Sequence, residues 1–187
     1  MRLTSIFSAA AAMAVLCCCS PEKAKDPALE ALETRIGELV GEEAEISVFL
    51  FEKVDSTTFA EELSHRKDAF EYKLKQDEKF LLTYVSKRQN ARIEEKTKSI
   101  RNDYRIMEGL DSIAVRIAPY EDDIAYYDYH FSGKAVSASG ITEFKDYYAC
   151  ITPSNVVLCI EPTSKGLHKT LGRVLPGYSD LFVNPEE

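Results

Sequence analysis

The 187-residue chain has no tryptophan, three histidines and no apolar run of about twenty residues. Lack of tryptophan weighs against a sugar-stacking platform. His65, His130 and His168 show no metal-ligand spacing, and there is no HExxH helix, nucleophile elbow or acidic calcium loop. No metal or cofactor is therefore expected. The longest apolar stretch, Ile6 to Leu16, falls well short of the roughly 20 residues that span a bilayer. A basic excess is missing too. With 31 acidic and 23 basic side chains the net charge is −8, which argues against nucleic acid and against lying flat on an anionic membrane. A two-carboxylate enzyme leaves no local signature, and no pair stands out among so many acids.

What is present begins with "AVLCCCSPEK" at residues 14–23. Arg2, the short apolar core and small residues at its end describe a secretory signal peptide. Leu16-Cys17-Cys18-Cys19 resembles the lipobox of bacterial lipoproteins, with Cys19 as the modified residue and Cys17 and Cys18 where Ala, Gly or Ser is usual. The resemblance implies acylation of Cys19. Stable anchoring takes more than one acyl chain, at about 0.8 kcal/mol per buried methylene. Residues 1–18 are then the signal peptide, 19–26 a tether and 27–187 a single α+β domain. Beyond the lipobox, the chain is similar to small envelope lipoproteins of Gram-negative bacteria. That likeness implies an outer-membrane anchor facing the periplasm, with the cell surface as the alternative. The expected partners are the membrane, through Cys19, and an envelope protein. Cleavage would leave 169 residues, enough for one core, and a net charge of −9.

Asp26-Pro27 predicts a helix start, and Leu29, Leu32, Ile36, Leu39 and Val40 share one face before Gly41. "EISVFLFEKV" (45–54), apolar on both sides, predicts a strand buried on most of its surface. From Ser56 to Glu108 there is no Gly or Pro. Thr58 to Glu61 fits a capping box. Phe59, Leu63, Phe70, Leu74, Leu81 and Val85 make an apolar stripe, with Glu62–Arg66 and Glu71–Lys75 as supporting pairs. The stripe lapses at 86–90, which sets a joint near 87–91, and resumes through Ile93, Ile100, Tyr104, Met107, Leu110 or Asp111, Ala114 and Ile117. Two antiparallel helices are the simplest reading, one unbroken helix the alternative. Segments 124–136, 141–152 and 156–161 then predict a three-stranded antiparallel meander packed on the helices. A helical turn is expected near Tyr178 to Phe182.

Two constellations qualify as candidate sites. Tyr127, Tyr129, His130, Tyr147 and Tyr148, with Asp128, could line a ligand groove on the sheet, although tyrosine is also a common strand residue. Lys165, His168, Lys169 and Arg173 cluster around two glycines and could cradle an anion, although a solvated loop explains them as well. Basic residues at the helical joint, from Lys87 to Arg105, could meet an acidic partner or simply face water. In "CITPSNVVLC" a type I turn with left-handed Asn155 puts Thr152 opposite Val156 and Cys150 opposite Leu158. That register keeps both thiols free; a two-residue loop would instead oppose Cys150 and Cys159. The expected function is a non-catalytic envelope lipoprotein that binds a partner or supports assembly, with a hydrolase of envelope material as the alternative.

Overall fold

The computed structural model describes residues 25–41, 43–167 and 171–183. The expected signal peptide and Cys19 lie outside them. The order is α1 (Pro27–Val40), β1 (Glu45–Thr58), α2 (Phe59–Ser86), α3 (Asn90–Ile117), β2 (Ile124–Ser137), β3 (Gly140–Ile151), β4 (Val157–Glu161) and α4 (Ser164–Leu167). Single 3-10 turns follow at Leu171–Val174 and Ser179–Phe182. The four strands form one antiparallel sheet in the order β1-β2-β3-β4. This is the expected α+β fold, with the first strand joined to the meander.

The Asp26 carboxylate accepts from the Ala28 N–H at 2.9 Å, and Pro27 opens α1 where no N–H is needed. Leu32 and Ile36 are buried with Phe131, Ala135, Phe144, Ala149 and Ile151, so α1 covers one face of the sheet. Each such side chain contributes about 1.5–3 kcal/mol by leaving water. Leu39 is exposed, so the buried stripe is narrower than the apolar pattern suggests.

β1 corrects an expectation. It is the edge strand, pairs only with β2, and is half-buried rather than enclosed. Its register slips between Val48 and Leu50 and between Lys53 and Asp55. The residues skipped, Phe49 and Val54, are the exposed apolar ones, at 72% and 52%. Bulges eject the side chains that a regular edge strand could not bury, and they also spoil the edge for further pairing.

β1 runs into α2 with no loop between them. Thr58 Oγ1 accepts from the Glu61 N–H at 3.2 Å, while Glu61 Oε2 accepts from the Thr58 N–H at 2.8 Å, completing the capping box. Two more donors of the first turn, Phe59 and Ala60 N–H, are taken by the carbonyls of Asp123 and Glu121. α2 and α3 are 28 residues each, about 42 Å long. They turn at Lys87–Gln89, where Arg88 is left-handed. The buried face of α3 is Asp103, Ile106, Leu110, Ile113 and Ile117. Leu110 and Ile117 are where the predicted stripe has them, whereas Asp103, Ile106 and Ile113 replace Tyr104, Met107 and Ala114, and Tyr104 faces out.

Glu62–Arg66 is no surface pair. Arg66 Nε donates to Glu62 Oε1 at 2.6 Å, and the Tyr126 hydroxyl donates to Glu62 Oε2 at 2.9 Å, all three side chains being buried. Burial, more than the adjacent carboxylate, pushes the Tyr126 hydroxyl well above its ordinary range, so it remains a donor. This contact ties α2 to the second face of the sheet.

Candidate functional site

Successive strand residues face opposite sides, and this divides the predicted tyrosine groove. Tyr129 stacks on Phe51 at 4.4 Å, and Tyr147 packs against Phe131 and Phe144, all in the cluster under α1. Tyr127 shares that side of β2, with the Lys53 ammonium 4.4 Å above its ring. His130 and Tyr148 face the other way, with ring centroids 5.1 Å apart. The structure brings His130 and Tyr148 together and separates them from Tyr127, Tyr129 and Tyr147.

The face opposite α1 carries two rows across the sheet. Glu52, His130, Tyr148 and Glu161 are successive cross-strand partners, as are Asp55, Asp128, Cys150 and Cys159. His130 Nε2 lies 3.4 Å from Asp146 Oδ1. Asp128 and Cys150 are buried, and the Cys150 thiol donates to Asp128 Oδ1 at 2.9 Å. The opposition of Cys150 and Cys159 corrects the predicted register. The turn itself is as expected, with Asn155 left-handed and the Thr152 N–H donating to the Val156 carbonyl at 3.0 Å. Ile151 then faces Val157, but a bulge shifts the ladder so that Cys150 faces Cys159, with Leu158 the extra residue. Both cysteines are free, as expected, though not for the reason that led there.

Of the anion candidates, Lys165 is exposed on α4. His168, Lys169 and the side chain of Arg173 lie outside the described residues. An open cleft of about 400 Å³ is bordered by Phe59, Ile124, Val156, Leu158 and Val174, and neither the candidate tyrosines, nor His130, nor Lys165 lines it.

The far end of the α2–α3 hairpin is uncovered by other described residues. Between residues 78 and 102 no described side chain is buried. Phe80, Leu82 and Val85 are at least half exposed, Leu82 at 71%. Phe80 and Tyr84 stack with centroids 6.4 Å apart, and the Lys96 and Arg92 cations sit over their rings at 5.9 and 5.6 Å. The segment holds seven basic and three acidic residues in a chain that is acidic as a whole. Just below, Asp77 accepts from Lys96 at 2.9 Å and from Ser99 at 3.1 Å, and Lys73 pairs with the buried Asp103. Burial opposes the Asp77 charge, but these hydrogen bonds and the nearby Lys73 outweigh it, so the carboxyl lies below its ordinary value. Sequence reading identified the basic residues here but not the apolar side chains beside them, because Val85 reads as part of the helix-packing stripe while Phe80 and Leu82 fall outside it.

No family model matches the chain, and neither a curated protein nor a solved structure matches it.

Proposed function

We propose that this protein is a non-catalytic lipoprotein, held through Cys19 at the outer membrane and facing the periplasm, that grips an acidic partner protein with the end of its α2–α3 hairpin. The observation that carries the binding reading is the uncovered hairpin end: exposed Phe80, Leu82 and Val85 within a locally basic surface. Apolar side chains left in water on a helix pair favour a third element packing on them, and the surrounding cations favour an acidic one. The acidic remainder of the molecule would repel such a partner, which confines it to this end. The hydrolase alternative draws less support, since the tyrosines meant to line its site are split between two sheet faces.

Placing a photocrosslinking residue at position 82 or 85 in cells tests this directly. Capture of one defined protein, lost when Lys87, Arg88 and Arg92 are changed to Glu, is the expected result. No captured protein, together with turnover of envelope material by the purified chain, would reverse the choice. The address has its own test: Cys19→Ala should leave the membrane fraction, and protease added to intact cells should spare the wild-type body.

A further inference from the structure

Cys150 and Cys159 are directly opposed on β3 and β4, and both sit in one apolar cluster with Tyr126 and Leu167, so their side chains share a face. Opposed residues of an antiparallel pair stand about 4.5 or 5.5 Å apart at Cα. Both spacings fall within the roughly 4.4–6.8 Å that a disulfide spans. The two thiols differ in access. Cys150 is fully buried, whereas Cys159 is partly exposed, its sulfur near the Leu167 carbonyl at 3.9 Å. Behind Cys150 lies the carboxylate of Asp128, itself buried. Its one side-chain hydrogen bond among the described residues comes from the Cys150 thiol. A buried carboxylate is costly in an apolar cluster, and a cysteine that served only for packing would need none.

We propose that Cys159, Cys150 and Asp128 form a thiol–disulfide exchange site, with Cys159 as the attacking thiol, Cys150 as the resolving thiol and Asp128 as the proton acceptor. The oxidant is a small-molecule or protein disulfide, R–S–S–R. Cys159 loses its proton to water and its sulfur attacks one sulfur of the oxidant. The R–S–S–R bond breaks, a mixed disulfide forms, and the departing thiolate takes a proton from water. The Cys150 sulfur then attacks the Cys159 sulfur while its proton passes to Asp128 Oδ1, and the second thiolate leaves and is protonated by water. Asp128 finally returns its proton to solvent. Two protein thiols are oxidised to one disulfide, and one external disulfide is reduced to two thiols. The contact between the sulfurs holds the Cys159 thiol below its ordinary value, while that contact, burial and Asp128 push Cys150 up. The accessible sulfur is thus the better nucleophile, and the buried one keeps its proton until it reacts. This inference rests on sheet register and is independent of the hairpin end.

The test exposes the folded full chain to oxidised glutathione, quenches with acid and maps the tryptic peptide spanning residues 146–165, which contains both cysteines. Loss of two hydrogens with no lasting adduct is expected. Cys150→Ser should retain glutathione on Cys159, and Cys159→Ser should take up none. Asp128→Asn, checked for wild-type circular dichroism, should close about tenfold or more slowly and accumulate the mixed disulfide. A lasting adduct on the wild-type chain, two unreacted thiols, or adduct formation at Cys150 in Cys159→Ser would overturn the pair. Closure at the wild-type rate in a folded Asp128→Asn protein would remove Asp128 from the mechanism. Should that variant fail to fold, Asp128→Ser takes its place in deciding the acceptor, and the two cysteine variants still decide the pair.

Discussion

The two ends of the α2–α3 hairpin are built from the same helices yet solve different problems. At the base, Leu63, Ile106, Leu110, Ile113 and Ile117 close on Leu175 from the chain's tail, and Glu62, Arg66 and Tyr126 fasten α2 to the sheet. At the far end no third layer arrives among the described residues. The seam there becomes polar through Asp77, Lys96 and Ser99, while apolar side chains turn outward. A helix pair covered by other elements can spend its leucines on the seam. A pair in water must hold register by charge, and any leucine it shows outside is available to something else. Local opening should follow the same division, with the far end exchanging its amides well before the base.

Substitutions can sharpen or break that contrast. Leu110→Ala should have the largest effect, lowering stability by about 2–5 kcal/mol in chemical denaturation, because its site is enclosed. Tyr126→Phe comes next. It leaves a buried Glu62 oxygen without its donor and should cost about 1.5–3 kcal/mol by the same measurement. Acid should loosen the far end. The Asp77 carboxyl lies below its ordinary 3.8 when folded, so its contribution is complete above that pH and is lost as pH falls through the folded value. Circular dichroism should show helix loss on that acid limb in the wild type and a flattened limb in Asp77→Asn. The smallest effect belongs to Leu82→Ser, which should change stability by no more than about 0.5 kcal/mol while abolishing crosslinking of the partner. A large loss of stability from Leu82→Ser would mean that the two ends are not different after all.

Much of this architecture could be read in advance. Asp26-Pro27, the Thr58–Glu61 box and the Pro153–Asn155 joint are local signals, and each marks an element boundary where the structure has one. The errors share one origin. Bulges at Phe49, Val54 and Leu158 rephase strands without any local mark, so β1 looked enclosed and Cys150 was matched to Leu158. On α3 the reading missed Asp103, a buried charged residue at a seam position that an apolar count skips, and so took its neighbour Tyr104 instead. The division of the tyrosines was legible. In Tyr126-Tyr127-Asp128-Tyr129-His130, period two already sends Tyr127 and Tyr129 to one face and Asp128 and His130 to the other. The opposition of Cys150 and Cys159 was reached only as an alternative, through a two-residue loop, because the bulge that produces it leaves no local mark.

The junction at Thr58–Phe59 has a mechanical meaning. An edge strand that passes directly into a helix of about 42 Å leaves no slack chain to absorb rotation. Three fasteners hold that junction: the capping box, the two carbonyls of Glu121 and Asp123, and Glu62 beneath them. The hairpin is therefore a lever whose fulcrum is the sheet edge. A tilt of ten degrees at the fulcrum carries the far end through about 7 Å. Conversely, a pull on the far end delivers its torque to β1, an edge strand with three register shifts already in its ladder.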